Sequence, residues 1–278
     1  MDIQELILKE YDKENYRIVN NNSKNGLCYI YASSNALYKK DDMDDFINRI
    51  EQSDRYEWEN CKPKEIPEKE IYIRDIYLSW YVKGINSSIN TYEKLIDFLK
   101  ENTCGYEVRC VGVSSGGFIC NIIAMELGAE ICYCFAGQFS LKNHFDHLKK
   151  NILLKNYLEI NGLYWFEYYE RLKCTRDCAT TIVYFLPNKS IQDVEQYKLI
   201  KDCPNVLTIS INESNHGIAV YPFALPILLN YSLSKLKDLA TLLTVEGGGK
   251  LKISIKIAGV FSCVNYGIRK ILKRMRIM

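Results

Sequence analysis

From Tyr106 to Ala129 the chain reads YEVRCVGVSSGGFICNIIAMELGA, an apolar strand-like run that passes through Gly112-Val113-Ser114-Ser115-Gly116-Gly117 directly into a helical pattern. A strand can turn this abruptly into a helix only where small residues flank the corner. Glycines two positions before and two after the serine leave that room. Ser114 is then thrust out at the carboxyl edge of a sheet, and the backbone N–H of Ser115, at the helix N-terminus, is placed to stabilise an oxyanion developing beside it. The alternative content of such a segment is a glycine-rich turn that merely starts a helix or cradles phosphate. The strand before it and the helix after it favour a nucleophile.

A serine nucleophile needs a base, and the chain has three histidines. His144 and His147 fall in a stretch that reads as an insert, whereas His216 stands in TISINESNHGIAV, past the last predicted strand. A chain order of serine, acid, histidine puts the base there. Asp193, in PNKSIQD after the strand TIVYFLP, takes the place of the orienting carboxylate, with a helix N-cap as its alternative role. Glu195, Asp177 and Asp202 are weaker choices. A second oxyanion donor belongs on the loop after an early strand. LCYIYASSNALY supplies Ser33, Ser34 and Asn35 there; the backbone of Ser34 is the candidate, and a plain polar turn the alternative.

The wider periodicity alternates strands with helices, which specifies an α/β chain with a mostly parallel sheet covered on both faces. Strands are predicted at Tyr16–Val19, Leu27–Ala32, Ile71–Arg74, Glu107–Val113, Ile131–Phe135, Thr181–Leu186 and Val206–Ile211, several as the continuous apolar runs of buried parallel strands. Helices are predicted at Asp42–Gln52, Ser88–Glu101, Gly117–Leu127, Ile191–Lys201 and Ile218–Leu239. Residues 141–178 interrupt this order with Lys149, Lys150, Lys155 and the aromatic patch Tyr164, Trp165, Phe166, Tyr168 and Tyr169. They read as a helical lid on the domain formed by residues 1–246. Aromatic faces stack on sugar rings, which makes Trp165 and Tyr168 candidate substrate contacts; burying the insert's own small core is the alternative.

The formal charge of +2 conceals an asymmetry, because residues 250–278 hold eight of the 36 Lys and Arg and no acid. From Ile257 on, apolar residues recur every three or four positions while Arg269, Lys270, Lys273, Arg274 and Arg276 crowd the end. Residues 247–278 are therefore expected as a basic amphipathic helix. Such a helix can lie on an anionic membrane surface, or pack on the body or a second subunit with a solvated basic rim. An acidic body without a binding motif argues against nucleic acid. The apolar stretch Ile218–Leu233 is broken by Pro222, Pro226 and Asn230, short of a clean membrane span. The N-terminus lacks the pattern of a secretory signal, so a cytoplasmic location, peripheral at the inner membrane face, is expected. Eleven cysteines in a chain of this kind read as reduced, buried thiols, with Cys132 and Cys134 sharing a strand face. No paired CxxC spacing suggests a metal, and none is expected.

With Ser114, Asp193 and His216 in that order, the chain resembles the α/β-hydrolase superfamily over residues 13–240. WYVKGINSS at Trp80–Ser88 and FAGQFSL at Phe135–Leu141 are similar to α/β-hydrolase-like proteins of bacterial capsule and surface-polysaccharide loci. The resemblance implies a serine-dependent O-acetyltransferase that carries acetyl from acetyl-CoA to a sugar hydroxyl. A carbohydrate esterase using the same triad, and a non-catalytic scaffold of that fold, are the alternatives. The absence of an HGGG-type motif argues against the lipase and esterase branch that uses it.

Overall fold

Strands rich in Val, Ile, Cys and Tyr alternate their side chains between two faces, and both faces here are apolar, so the sheet has to be covered twice. The computed structural model describes residues 2–141 and 179–275. Among them, β1 (Tyr16–Asn20), β2 (Leu27–Ala32), β3 (Lys69–Ile73), β4 (Glu107–Val113), β5 (Ile131–Phe135), β6 (Thr181–Pro187) and β7 (Val206–Ile211) form one sheet in the order β1-β3-β2-β4-β5-β6-β7. β1 is antiparallel to β3 and every other pairing is parallel. From β2 the chain moves outward to β3, and from β4 it moves the other way to β5. The strand order therefore reverses between β2 and β4, where Ala32 lies opposite Gly112. In open α/β sheets the crevice at the carboxyl ends of such a pair is where ligands bind.

On one face Cys28, Ile30, Ala32, Cys110, Cys132 and Cys134 pack beneath α3 (Tyr92–Thr103) and α4 (Ser115–Leu127). The alternate residues Tyr29, Tyr31, Val111, Tyr133 and Phe135 pack on the other. The expected sharing of a face by Cys132 and Cys134 is thus observed. The Tyr29 and Tyr133 hydroxyls both donate to the Leu229 carbonyl, at 2.6 and 2.9 Å, which ties the second layer to the sheet. α1 (Ile3–Tyr11), which the periodicity did not reveal, starts with a capping box in which Asp2 accepts from Glu5 N–H and Glu5 from Asp2 N–H. α2 (Met43–Phe46) runs on into a π-helical turn at Ile47–Gln52.

Three helix expectations are corrected. The helix expected from Ser88 starts at Tyr92, capped by Thr91. The one expected through Lys201 is α5 (Ile191–Lys198). The long helix expected over Ile218–Leu239 is two, α6 (Leu225–Leu228) and α7 (Leu233–Glu246). Pro226 stands in the first turn of α6, where its missing donor costs nothing, and α7 restarts at a cap of its own, Ser232, which accepts from Lys235 N–H. The insert expected at residues 141–178, with His144, His147, Trp165 and Tyr168, lies outside the described residues apart from the buried Leu141.

The C-terminal segment departs most from its expectation. It forms α8 (Lys250–Met275), broken at Gly259, whose φ of 81° and ψ of 159° interrupt the helix. Before the break, Ile253 and Ile257 belong to the core of the second face. After it, Val260, Phe261, Val264, Ile268, Ile271 and Leu272 are exposed. The boundary expected at residue 247 falls in the turn between α7 and α8; the first turns of α8 pack on the body, and its exposed apolar residues lie beyond Gly259. Residues Lys250–Leu272 are long and apolar enough to cross a membrane by length and composition, yet the first two turns are committed to the body.

Candidate active site

The elbow forms as its sequence requires. Ser114 stands between β4 and α4 with φ 53° and ψ −121°, a conformation costly for a residue with a side chain and tolerated where the surroundings over-determine it. The glycines explain how. A Cβ on Gly112 would collide with the Gly116 carbonyl, and one on Gly116 with the Ala32 carbonyl, so the corner is packed backbone to backbone. Gly117 meets the loop after β5 in the same way: a Cβ there would lie 2.9 Å from Gly137 Cα. Ser114 thus stands at the carboxyl end of β4, beside the strand-order reversal.

The acid and the base are brought together from different elements. Asp193 lies in the first turn of α5, 1% exposed, and His216 in the loop after β7. The His216 Nδ1 is 2.9 Å from Asp193 Oδ1 and 3.1 Å from Oδ2. Asp193 is not the cap of its helix; Ser190 holds that position. Of the weaker choices, Glu195 pairs with Lys198 at 2.6 Å on the surface, Asp202 is exposed, and Asp177 is outside the described residues. An Nδ1 held by a carboxylate fixes the ring so that Nε2 is the nitrogen left for chemistry. His216 also lines a cavity of about 90 Å³ together with Asn215, Glu213 and Lys250. No hydrogen bond joins Ser114 Oγ to His216 among the described residues; nucleophile–base contacts are commonly open before substrate arrives.

The first turns of α8 brace the loop that carries His216. Lys250 N–H donates to Glu213 Oε1 and its Nζ to the Ile218 carbonyl, both at 2.8 Å, while Tyr221 N–H donates to Ser254 Oγ at 2.8 Å. Burial beside this loop lowers the Lys250 pKa, with Glu213 opposing.

The loop after β2 is placed as expected but wired differently. The Ser34 N–H, the candidate oxyanion donor, is given to the carboxylate of Glu57, which also accepts from Ser34 Oγ at 3.1 Å. The next donor, Asn35 N–H, goes to the buried Ser115 Oγ at 2.8 Å. An N–H makes one good hydrogen bond, so neither is left over for a ligand. The sequence carried no sign of this, because Glu57 lies in a loop remote from the motif. The Ser115 N–H, by contrast, sits at the first position of α4, where a helix has no internal acceptor for it.

Three further residues reach the site that the motifs did not single out by role. Gln138 Nε2 lies 3.4 Å from Ser114 Oγ, and Trp80 Nε1 donates to Gln138 Oε1 at 3.2 Å. The turn that presents Trp80 is organised by the buried Asp75, which accepts from the backbone N–H groups of Tyr77, Ser79 and Tyr81 and from Ser79 Oγ. Burial pushes the Asp75 carboxyl above its usual range, with those hydrogen bonds pulling it back. Among the described residues no group of three His, Cys, Asp or Glu could hold a metal ion.

No protein-family model matches the sequence, and no curated protein matches it. The fold is similar to that of the capsule O-acetyltransferase of Neisseria meningitidis serogroup A in complex with caged gadolinium, at 14% identity and a TM-score of 0.50, covering 72% of this chain and 83% of that one. A histidine-to-alanine variant of that enzyme in complex with CoA is similar at 13% identity and a TM-score of 0.45, covering 73% and 85%. An alpha-beta serine hydrolase homologue from Coxiella burnetii is similar at 10% identity and a TM-score of 0.37, covering 84% and 90%. At these identities the likeness is one of fold. The chain has the α/β-hydrolase fold, with a basic C-terminal helix added to it.

Proposed function

We propose that this chain is a serine acyl-transfer enzyme, an O-acetyltransferase that moves acetyl from acetyl-CoA to a hydroxyl of a bacterial surface polysaccharide. The observation that carries the reading is the His216–Asp193 pair at 2.9 Å, standing in a fold whose elbow holds Ser114 at φ 53°. Ser114 Oγ attacks the thioester carbonyl while His216 Nε2 takes its proton, and Asp193 steadies the imidazolium that forms. The Ser115 N–H stabilises the tetrahedral oxygen. When the carbon–sulfur bond breaks, the CoA sulfur leaves with the proton held by His216. A sugar hydroxyl then attacks the acyl-serine, His216 takes its proton, and Ser114 recovers that proton as the ester leaves on the sugar. With water in place of the sugar the same residues perform hydrolysis, the runner-up. Trp165 and Tyr168 keep their role as candidate acceptor contacts.

The tail supports a partner for the same reading. At 100° per residue the exposed apolar residues of α8 beyond Gly259 fall within about 120° of its circumference, and Arg269 and Lys270 lie on either side of that stripe. An apolar stripe with basic flanks fits an anionic membrane surface, where a polysaccharide-modifying enzyme would meet lipid-linked acceptors.

The test is to incubate the protein with acetyl-CoA, with and without an oligosaccharide acceptor, following free thiol and acetylated sugar. Thiol release that depends on acceptor, with acetyl on the sugar, and its loss in Ser114→Ala and His216→Ala, is the expected result. Equal thiol release without acceptor places the chain among esterases. Full activity in Ser114→Ala refutes the serine mechanism.

A further inference from the structure

A serine acyl transfer needs two donors aimed at the oxygen that becomes negative, and the usual second source is closed here. Ser34 N–H is held by Glu57 and Asn35 N–H by Ser115 Oγ. On the opposite side of the elbow, however, the loop after β5 is pressed against α4: a Cβ on Gly137 would lie 3.1 and 3.2 Å from the Gly117 backbone and would overlap Cys134 Sγ. This contact sets the next residue, Gln138, beside the nucleophile. Its amide is oriented unambiguously. Trp80 Nε1 is a donor only, so it has to face the amide oxygen, which leaves Nε2 turned to Ser114 Oγ at 3.4 Å.

The loop is held from a third direction. Gln196 Oε1 accepts from Phe139 N–H at 2.6 Å and Ser140 N–H at 2.9 Å, and Gln196 Nε2 donates to the Ser140 carbonyl at 3.2 Å. Gln196 lies one helical turn beyond Asp193 on α5, so a single helix fixes both the acid that orients His216 and the loop that carries Gln138. Gln138 is itself buried, which makes a neutral amide donor there far stronger than one in water.

We propose that the Gln138 side-chain amide is the second oxyanion donor of this site, with Trp80 as its positioning residue and the Ser115 N–H as its partner. The inference rests on the acyl-serine reading above. A donor 3.4 Å from the attacking oxygen is long for the resting hydroxyl. The oxyanion forms one carbon away from Oγ, within reach of an amide that already contacts Oγ. When charge develops there, Nε2–H donates to it without rearrangement of the loop. Trp80 and Gln138 come from WYVKGINSS and FAGQFSL, so two segments flanking the elbow in sequence meet at one oxygen.

The experiment is the rate at which a fluorophosphonate labels Ser114, measured together with kcat in the acetyl-transfer assay. The unaltered full-length chain is compared with Gln138→Leu, Gln138→Glu, Trp80→Phe and the Trp80→Phe/Gln138→Leu double variant. A phosphonyl adduct is tetrahedral and uses the same donors, so loss of one donor should slow labelling and kcat together by about 100- to 1,000-fold, with KM little changed. Gln138→Glu keeps the length and an acceptor for Trp80, and it tests the donor even if the leucine variant fails to fold. Trp80→Phe should slow the reaction in the unaltered background and add nothing in the Gln138→Leu background, which a merely structural tryptophan would not do. Labelling of Gln138→Glu at the unaltered rate overturns this assignment alone. Failure of Ser114 to label in the unaltered chain overturns the acyl-serine reading, and this one with it.

Discussion

Two alanine substitutions on one helix, eight residues apart, should have opposite consequences. Ile253 is 0% exposed and packs into the core beneath the sheet, whereas Phe261, past the break at Gly259, is 79% exposed. Removing three carbons from a buried isoleucine costs about 2–5 kcal/mol, the transfer of the lost groups plus the cavity left behind. In a chain of this size each kcal/mol shifts the melting temperature by about 2–4 °C, so Ile253→Ala should melt at least about 4 °C lower. Because residues 250–254 brace the His216 loop, acetyl transfer should fall as well. Phe261→Ala removes no internal contact of that kind and should stay within about 0.5 kcal/mol of the parent. Its effect should appear on membranes instead. Burying a phenylalanine side chain contributes about 1.5–3 kcal/mol, so affinity for phosphatidylserine-containing vesicles should weaken by up to about 10- to 150-fold. Thermal denaturation and vesicle co-sedimentation of the two variants decide the matter. An Ile253→Ala variant as stable as its parent, or a Phe261→Ala variant destabilised to the same degree as Ile253→Ala, would refute the division of α8 at Gly259.

Three further outcomes are expected. Burial pushes the thiols of Cys28 and Cys134 up to about 12 and raises those of Cys110, Cys120 and Cys132 as well. Less thiolate than in a free cysteine is therefore present at pH 8; iodoacetamide followed by peptide mass mapping should modify exposed Cys104 in the native protein and spare these five until it is unfolded. Asp75→Asn places an amide NH₂ where the carboxylate accepts from backbone N–H groups. Leaving one buried donor unsatisfied should cost about 1–3 kcal/mol in denaturant melts, and Ser114 labelling should slow because the Trp80 turn loosens. Gly137→Ala drives a methyl group onto Cys134 Sγ and against the Gly117 backbone and should cost about 1–3 kcal/mol by the same measurement, with a larger proportional loss of acyl transfer, since the loop carrying Gln138 is pushed off the elbow.

The elbow, the alternation of strands and helices, and the order of Ser114, Asp193 and His216 were legible in the sequence, because each is written in local terms. A strand-to-helix corner demands small residues at fixed offsets, buried parallel strands demand apolar runs, and the fold places its acid and base after particular strands. With three histidines in the chain, the choice of His216 followed from its position, and the structure sets it 2.9 Å from Asp193. Local terms did not fix where the helices around residues 218–239 break, although the prolines there were in view; a proline removes a donor but does not say where the next helix restarts.

Tertiary structure alone decided the wiring around the nucleophile. Trp80 and Gln138 are 58 residues apart, and Gln196 is 58 residues beyond Gln138. No periodicity links such positions, and their contacts exist because the strand order reverses between β2 and β4 and because two glycines let α4 and the β5 loop touch. The same holds for Glu57, whose carboxylate takes the Ser34 N–H from a loop with no motif of its own. It holds too for the tail. Its helical pattern continues through Gly259, and composition could not say that Ile253 and Ile257 would be drawn into the core while Val260 and Phe261 stay outside. A glycine in a helical pattern is compatible with either outcome. Which one occurs depends on whether the body offers an apolar surface at that point, and that is a property of the folded molecule.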